Sequence, residues 1–406
     1  MHRIRTALPR PVRAVAVLSV SACLLAGCGG SPRSEDDSAK QPPAGAGAAA
    51  QPRIVLNAAD GQKGVSVRSG GRIEVEHGSI AKASLVTADG TTVPGKASRD
   101  NRTWSPDAAL DHGTTYRLTA VATGGKGAKA TERVTFTTLD EDERLIGTYV
   151  PEHGSKVGVG MPVSFTFDKA ITDKKAVESG ISVSSSSGQE VVGHWFGAQR
   201  LDFRPQEYWE AGSTVTVRIR LDGVKAAEGA YGEQDKTVRF TVGRSQVSTV
   251  DAAGHRMRVV RDGRTIRDIP ITAGAASSPT WNGRMVISEK LVSTRMDGAT
   301  VGFAGEYDIP DVPHAMRLST SGTFIHGNYW GDDSVFGRSN ISHGCVGLND
   351  VQGGGDASQD GAWFYANSLL GDVVVVRNSQ DATIAPDNGL NGWNMPWKEW
   401  VAGSAR

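Results

Sequence analysis

One segment of this 406-residue chain occurs twice. Trp104-Ser-Pro106, Leu110 and Gly113-Thr-Thr115 return as Phe203-Arg-Pro205, Trp209 and Gly212-Ser-Thr214 at a constant offset of 99 residues. Val134-Thr-Phe136-Thr returns as Val238-Arg-Phe240-Thr at a slightly larger offset, as an inserted loop would require. Around these marks the chain alternates. Arg72-Ile-Glu-Val-Glu76, Thr115-Tyr-Arg-Leu-Thr-Ala-Val121 and Val134-Thr-Phe-Thr-Thr138 have apolar residues at alternate positions, with Gly, Asp and Asn between the runs. A period of two turns successive side chains to opposite faces, so the runs are antiparallel strands with one face in a core. Two copies of a strand-built domain follow, over 52–140 and 141–245.

Copies of about 100 residues with this strand spacing predict immunoglobulin-like β-sandwiches, although the Cys…Trp…Cys core of antibody domains is missing. Neither copy contains an evident site. Ser79-Ile-Ala-Lys82 has the Ser-x-x-Lys spacing of penicillin-binding enzymes, but it lies in a strand-rich segment with no downstream Lys-Thr-Gly. Fifty glycines and 17 prolines at 38% hydrophobic content agree with a loop-rich β protein rather than a helical bundle. The 44 basic and 44 acidic side chains cancel, so no excess charge draws the chain to nucleic acid.

The N-terminus reads differently. Arg3, Arg5, Arg10 and Arg13 precede a short apolar run, Ala14 to Ala26, with no acid among them. That pattern predicts a signal peptide over 1–27, too short to span a membrane comfortably. Leu25-Ala26-Gly27-Cys28 resembles a bacterial lipobox, which implies cleavage before Cys28, a diacylglyceryl group on its thiol and anchoring at the extracellular face of the cell membrane. A plain secretory signal with a chance cysteine is the alternative. Removal of 1–27 leaves 40 basic against 44 acidic residues, a charge of −4. Residues 28–51, rich in Pro, Gly, Ala and Ser and lacking a large apolar side chain, read as a flexible linker.

The third region, 246–379, opens with two alternating runs, Arg256–Arg261 and Thr265–Ile269, around Asp262-Gly263, a strong hairpin signal. Further on, Asp356-Ala-Ser-Gln359 resembles a capping box and predicts one helix through Trp363, Phe364 and Leu369-Leu370, closed by Gly371. The apolar strand Asp372–Arg377 follows.

Cys345 is the candidate nucleophile. With Cys23 inside the signal and Cys28 lipidated, it is the one thiol left, and a free thiol in an oxidising compartment invites a chemical role. His343 lies two residues before it and His326 lies 19 residues before it. A neighbouring imidazole takes the thiol proton and raises reactivity. Gly327 and Gly344 let backbone approach a reacting carbonyl, and the N–H groups of Gly344 and Cys345 are candidate oxyanion donors. A small buried cysteine beside two structural histidines is the competing reading.

His326-Gly327, 14 residues, then Ser342-His-Gly-Cys345 resembles the signature of the L,D-transpeptidases, which cross-link peptidoglycan. The resemblance extends to Val259-Val-Arg-Asp-Gly263, to Pro279-Thr280…Gly283, to Trp363-Phe-Tyr365 and to the tail Gly392-Trp-Asn-Met-Pro-Trp397…Trp400. The tail is similar to the tryptophan-rich extension of lipoprotein members that also carry two immunoglobulin-like modules. The fold it implies is mainly β: two immunoglobulin-like sandwiches, a β-rich L,D-transpeptidase catalytic domain with one main helix, and a Trp-rich C-terminal extension over 380–406.

Carried onto these residues, the resemblance implies Cys345 as nucleophile and His326 as general base. The Gly327 carbonyl would orient the imidazole, and Ser342, His343 and Gly344 would shape the oxyanion side. The substrates it implies are two peptidoglycan stem peptides, an acyl donor and an amine acceptor, joined 3→3. Carbapenem-type β-lactams are expected inhibitors, and no metal or cofactor is expected. Phe303, Tyr307 and His314 fall where the family has a lid, and Arg338 is a candidate for a stem carboxylate. Trp393, Trp397 and Trp400 are expected to dock the tail onto the catalytic body. There is one departure: two residues past the nucleophile the family often has Arg or Asn, whereas this chain has Gly347 and reaches Asn only at Asn349. The alternatives are an L,D-carboxypeptidase, a protein-to-peptidoglycan ligase of the same fold, and a non-catalytic wall-binding lipoprotein.

Overall fold

The computed structural model describes residues 50–406, so the signal peptide, Cys28 and nearly all of the 28–51 linker lie outside the described residues. The first sandwich faces a four-stranded sheet (Arg53–Leu56, Ile73–Glu76, Thr103–Pro106, Gly95–Ala97) against a five-stranded one (Gln62–Val65, Lys129–Thr138, Thr115–Thr123, Ser79–Thr87, Thr92–Val93). The alternation of the sequence is the alternation of burial. Ile73 and Val75 point inward with Glu74 and Glu76 outward, and Tyr116, Leu118, Ala120 and Ala122 line the facing sheet. The Tyr116 and Phe136 rings stack across the core with centroids 5.7 Å apart.

The second sandwich repeats this plan, with Gly147–Val150, Val163–Phe167, Arg200–Arg204 and Val192–Phe196 packed on Lys156–Val157, Asp235–Val242, Thr214–Arg220 and Ile181–Ser185. Its pairing explains the two offsets. Thr115 pairs with Thr137 and Thr214 with Thr241, so the shift grows from 99 to 104 between the two strands. The added residues build the hairpin Lys225–Ala227/Ala230–Gly232, where the first copy has a short turn.

The third region is one nine-stranded sheet in the order Gly283–Val286, Val373–Arg377, Gln246–Asp251, Arg256–Arg261, Arg264–Thr272, Val346–Asn349, Phe324–Asn328, Asp308–Arg317, Glu289–Asp297. Asp262 and Gly263 both have positive φ, 48° and 77°, the geometry of a two-residue hairpin turn matched to strand twist. Deeper in the sheet, Phe324–Asn328 and Val346–Asn349 run parallel, with His326 opposite Gly347. That pairing brings the two halves of the His…Cys motif together.

The helix is shorter than the sequence suggests, Asp360–Asn367. Asp356 does not cap it: its carboxylate accepts from Ser358 N (2.9 Å) and Gln359 Nε2 (2.9 Å), closing a turn ahead of the helix. Beyond Asn367 the backbone also bonds to another domain. The carbonyls of Leu370 and Gly371 accept from Gly158 N (2.7 Å) and Gly160 N (2.9 Å) of the second sandwich, and Gly371 turns at φ +88°.

The tail also departs from expectation. Its tryptophans dock mainly on the second sandwich, with Trp393 also packed in the core that Val286 and Val373 of the catalytic domain share. Trp393 Nε1 donates to Gly160 O (2.7 Å), and Trp400 Nε1 donates to Val192 O (2.9 Å) while its ring stacks on His194. Arg204, 2% exposed, lies under the rings of Trp393, Trp397 and Trp400 and donates to the carbonyls of Pro205, Gln206 and Met395. Burial pushes its guanidinium down to about 10. Asn391 and Asn394 hold the catalytic side instead, accepting from Val286 N and Arg284 N. The tail is thus a strap across one junction.

Candidate active site

Two neighbouring strands and one loop make the site. Strand Phe324–Asn328 is wholly buried and presents His326 and, two residues on, Asn328 to the same face. Cys345 enters the next strand, Val346–Asn349, from the loop Ser342-His343-Gly344. The loop is pinned locally. Ser342 N donates to Ala273 O (3.0 Å), Ala275 N donates to Ser342 O (2.8 Å), and the Ser342 hydroxyl donates to Cys345 O (2.6 Å). Gly344 has φ +112°, where a side chain would strain the backbone. Beneath it lies the Pro279-Thr280 turn, whose Thr280 hydroxyl accepts from Gly274 N (2.9 Å).

Cys345 and His326 line one cavity of about 380 Å³ with Tyr307, Trp330, Ile341, Ser342 and His343. His326 is 5% exposed. Its Nδ1 lies 2.9 Å from the Gly327 carbonyl oxygen, and since a carbonyl only accepts, Nδ1 carries the proton and Nε2 is the basic atom. The Trp330 ring stacks on the imidazole, centroids 5.6 Å apart at 13°. Burial lowers the His326 pKa below its ordinary value, partly offset by the Gly327 hydrogen bond. Burial pushes the Cys345 thiol up to about 11, opposed by the Phe324 N–H. The thiol itself points to Gly322 O at 3.6 Å. Burial thus favours the neutral form of both groups.

Residues singled out from sequence fall into different places. Gly327 must be glycine, because a Cβ there would lie 2.4 Å from Asp350 Oδ2. The Gly344 N–H donates to Ser342 Oγ (3.2 Å), so it is spent within the loop, and the Cys345 N–H is the remaining oxyanion candidate. His343 turns to the segment 303–307: its Nε2 meets Glu306 Oε2 at 2.9 Å, with Tyr307 and Phe303 packed on its ring. His314 lies apart from that segment, on the strand Asp308–Arg317. It is buried behind the site with Nδ1 2.7 Å from Asp350 Oδ2, the same carboxylate that crowds Gly327. Arg338 is exposed and Asn349 half-buried, and neither lines the cavity. Trp330, Asn328 and Glu306 were missed from sequence. Strand alternation from His326 was the available signal for Asn328.

Residues 245–376 match the model of the L,D-transpeptidase catalytic domain, and residues 62–225 match that of a bacterial Ig domain. Among curated proteins, L,D-transpeptidase 2 of Mycobacterium tuberculosis (strain CDC 1551 / Oshkosh) is 31% identical over 360 residues, 87% of this chain and 85% of that protein. L,D-transpeptidase 5 of Mycobacterium tuberculosis (strain ATCC 25618 / H37Rv) is 30% identical over 361 residues, 87% and 77% of the two. The solved structure of an L,D-transpeptidase from Mycobacterium smegmatis aligns at 26% identity and a TM-score of 0.46, covering 57% of this chain and 99% of that one. With 31% identity sustained across both the sandwiches and the domain that holds Cys345 and His326, the chain belongs to the L,D-transpeptidase family.

Proposed function

We propose that this protein forms 3→3 peptidoglycan cross-links through a thioester on Cys345, with His326 as the base. The observation that carries the reading is a single cavity holding a thiol and an imidazole whose Nδ1 is committed to Gly327, so that Nε2 is free to take a proton. Sγ of Cys345 attacks the carbonyl of the diamino acid's L-centre in a tetrapeptide stem while His326 Nε2 accepts the thiol proton. That proton passes to the nitrogen of the departing D-Ala, leaving the thioester. The side-chain amine of a second stem then attacks, His326 takes its proton, and collapse returns the proton to the cysteine. A thiol held at about 11 and a neutral imidazole fit general-base attack, in which thiolate forms only as the bond forms.

In this reading the lipid on Cys28 holds the protein at the outer face of the cell membrane and the sandwiches lift the catalytic domain toward the wall. Carbapenems acylate the same cysteine. The decisive assay supplies a disaccharide tetrapeptide and follows both D-Ala release and the dimeric product by mass spectrometry. A 3→3 dimer that disappears in Cys345→Ala is expected; D-Ala release without dimer assigns water as the acceptor, and release that persists in Cys345→Ala overturns the nucleophile. For the anchor, Cys28→Ala should move the protein from the membrane fraction to the medium.

A further inference from the structure

Gly347 leaves a flat place in the cavity wall two residues past Cys345, opposite His326 in the neighbouring strand. The place is not spare room. A Cβ at position 347 would press on Thr272 Cγ2 at 2.9 Å and touch Asn328 Nδ2 at 3.4 Å, so Asn328 borders the place that a side chain there would take.

Asn328 is 6% exposed and its carboxamide is fixed in one orientation. Oδ1 accepts from Trp330 N (3.2 Å) and Gly331 N (2.9 Å); a flipped amide would set its own hydrogens against those two donors. Nδ2 is thereby turned the other way. Among the described residues it has no hydrogen-bond acceptor, it is not one of the sealed unpaired polar atoms, and Asn328 lines the cavity. The charged side chains of that lining are Glu306 and Asp308, and no Lys or Arg joins them. No lysine or arginine of that lining competes for a carbonyl or carboxylate oxygen of a bound peptide, and the preset Asn328 N–H pair is a neutral donor in the cavity that holds the nucleophile.

We infer that Asn328 anchors the acyl-donor stem, its Nδ2–H donating to a peptide carbonyl or carboxylate oxygen next to the bond that Cys345 attacks, from the strand beside the one that carries Gly347. The inference rests on the function proposed above and adds the residue that binds the donor. Asn328→Ala removes the donor. Asn328→Asp is sharper, because either carboxylate oxygen still accepts from Trp330 N and Gly331 N while an acceptor replaces the donor facing the substrate.

The test compares D-Ala release from the disaccharide tetrapeptide with alkylation of Cys345 by iodoacetamide, a small probe that needs no anchor, alongside thermal unfolding. Loss of about tenfold in kcat/KM is expected for Asn328→Ala and a larger loss for Asn328→Asp, with alkylation of the Ala variant within about twofold of wild type. Unchanged turnover in both variants overturns the inference and leaves the proposed function standing. Parallel falls in turnover, alkylation and Tm also overturn it, since they assign Asn328 a structural part only. Failure of the wild type to release D-Ala overturns the proposed function and this inference together.

Discussion

The two sandwiches share a plan and a repeat, yet they meet their neighbours through different physics. The junction between them is polar: Ser66 Oγ donates to Asp222, and His112 of the first sandwich meets Glu233 (2.7 Å), which Arg144 of the second sandwich steadies from its own side (3.0 Å). The junction of the second sandwich with the catalytic domain is a continuous apolar core, in which Val286, Val373 and Trp393 pack among Val157, Val159 and Met161. The repeat itself explains why only one copy binds the tail. Where the second sandwich has Arg204 beneath three indoles the first has Ser105, and its edge strand Gly95–Ala97 stops short of the positions at which Val192–Phe196 presents His194 and Phe196 to Trp400. Large apolar contact makes two domains one body, whereas hydrogen bonds and ion pairs with water nearby leave each domain its own core.

The strongest way to break that contrast is Trp393→Ala. Removing a ring that is 4% exposed should cost about 3–5 kcal/mol, read as an early denaturant transition of the catalytic domain and second sandwich together. Two separated transitions, or a loss below about 1 kcal/mol, would show that the junction is not part of a shared core.

The active site lies on the apolar side of the contrast, and acid should reveal it. Acylation needs His326 neutral, so activity is present above its pKa and lost as pH falls through it; because burial lowers that pKa, the acid limb of kcat/KM should lie below 6.5 and fall about tenfold per pH unit beneath it. Iodoacetamide alkylation of Cys345 should keep rising past pH 9 with no plateau, since the thiol is pushed up to about 11. A plateau near neutrality would replace the neutral pair with an ion pair.

The smallest effect belongs to the polar junction. Glu233→Gln should cost about 1 kcal/mol in the first sandwich's docking, weaken its salt sensitivity and leave D-Ala release unchanged. A matching loss of turnover would make the first sandwich part of the catalytic body.

Much of this was readable in the linear order of residues, because the relevant physics is local. Alternation at Ile73–Glu76 and Thr115–Thr123 fixes which face is buried, the Asp262-Gly263 pair sets a hairpin, and the offset of the repeat foretells a second sandwich. His326 and Cys345 were legible as chemistry, from residue type and glycine neighbours. What pairs with what was not. At the helix end the Asn367 carbonyl accepts from Arg244 and Arg261, more than a hundred residues upstream, and Lys290 takes the Tyr365 and Ser368 carbonyls. His314 is committed to Asp350 and His343 to Glu306, although the sequence treats them as similar imidazoles near one motif. Trp400 meets a histidine 206 positions away. Sequence alone determined the strands, the repeat and the reactive groups, since each depends on a residue and its near neighbours. Only the tertiary structure decided the strap across the junction, the burial of thiol and imidazole in one cavity and the placing of Asn328 against Gly347, because burial and partnership are set by residues that only folding brings together.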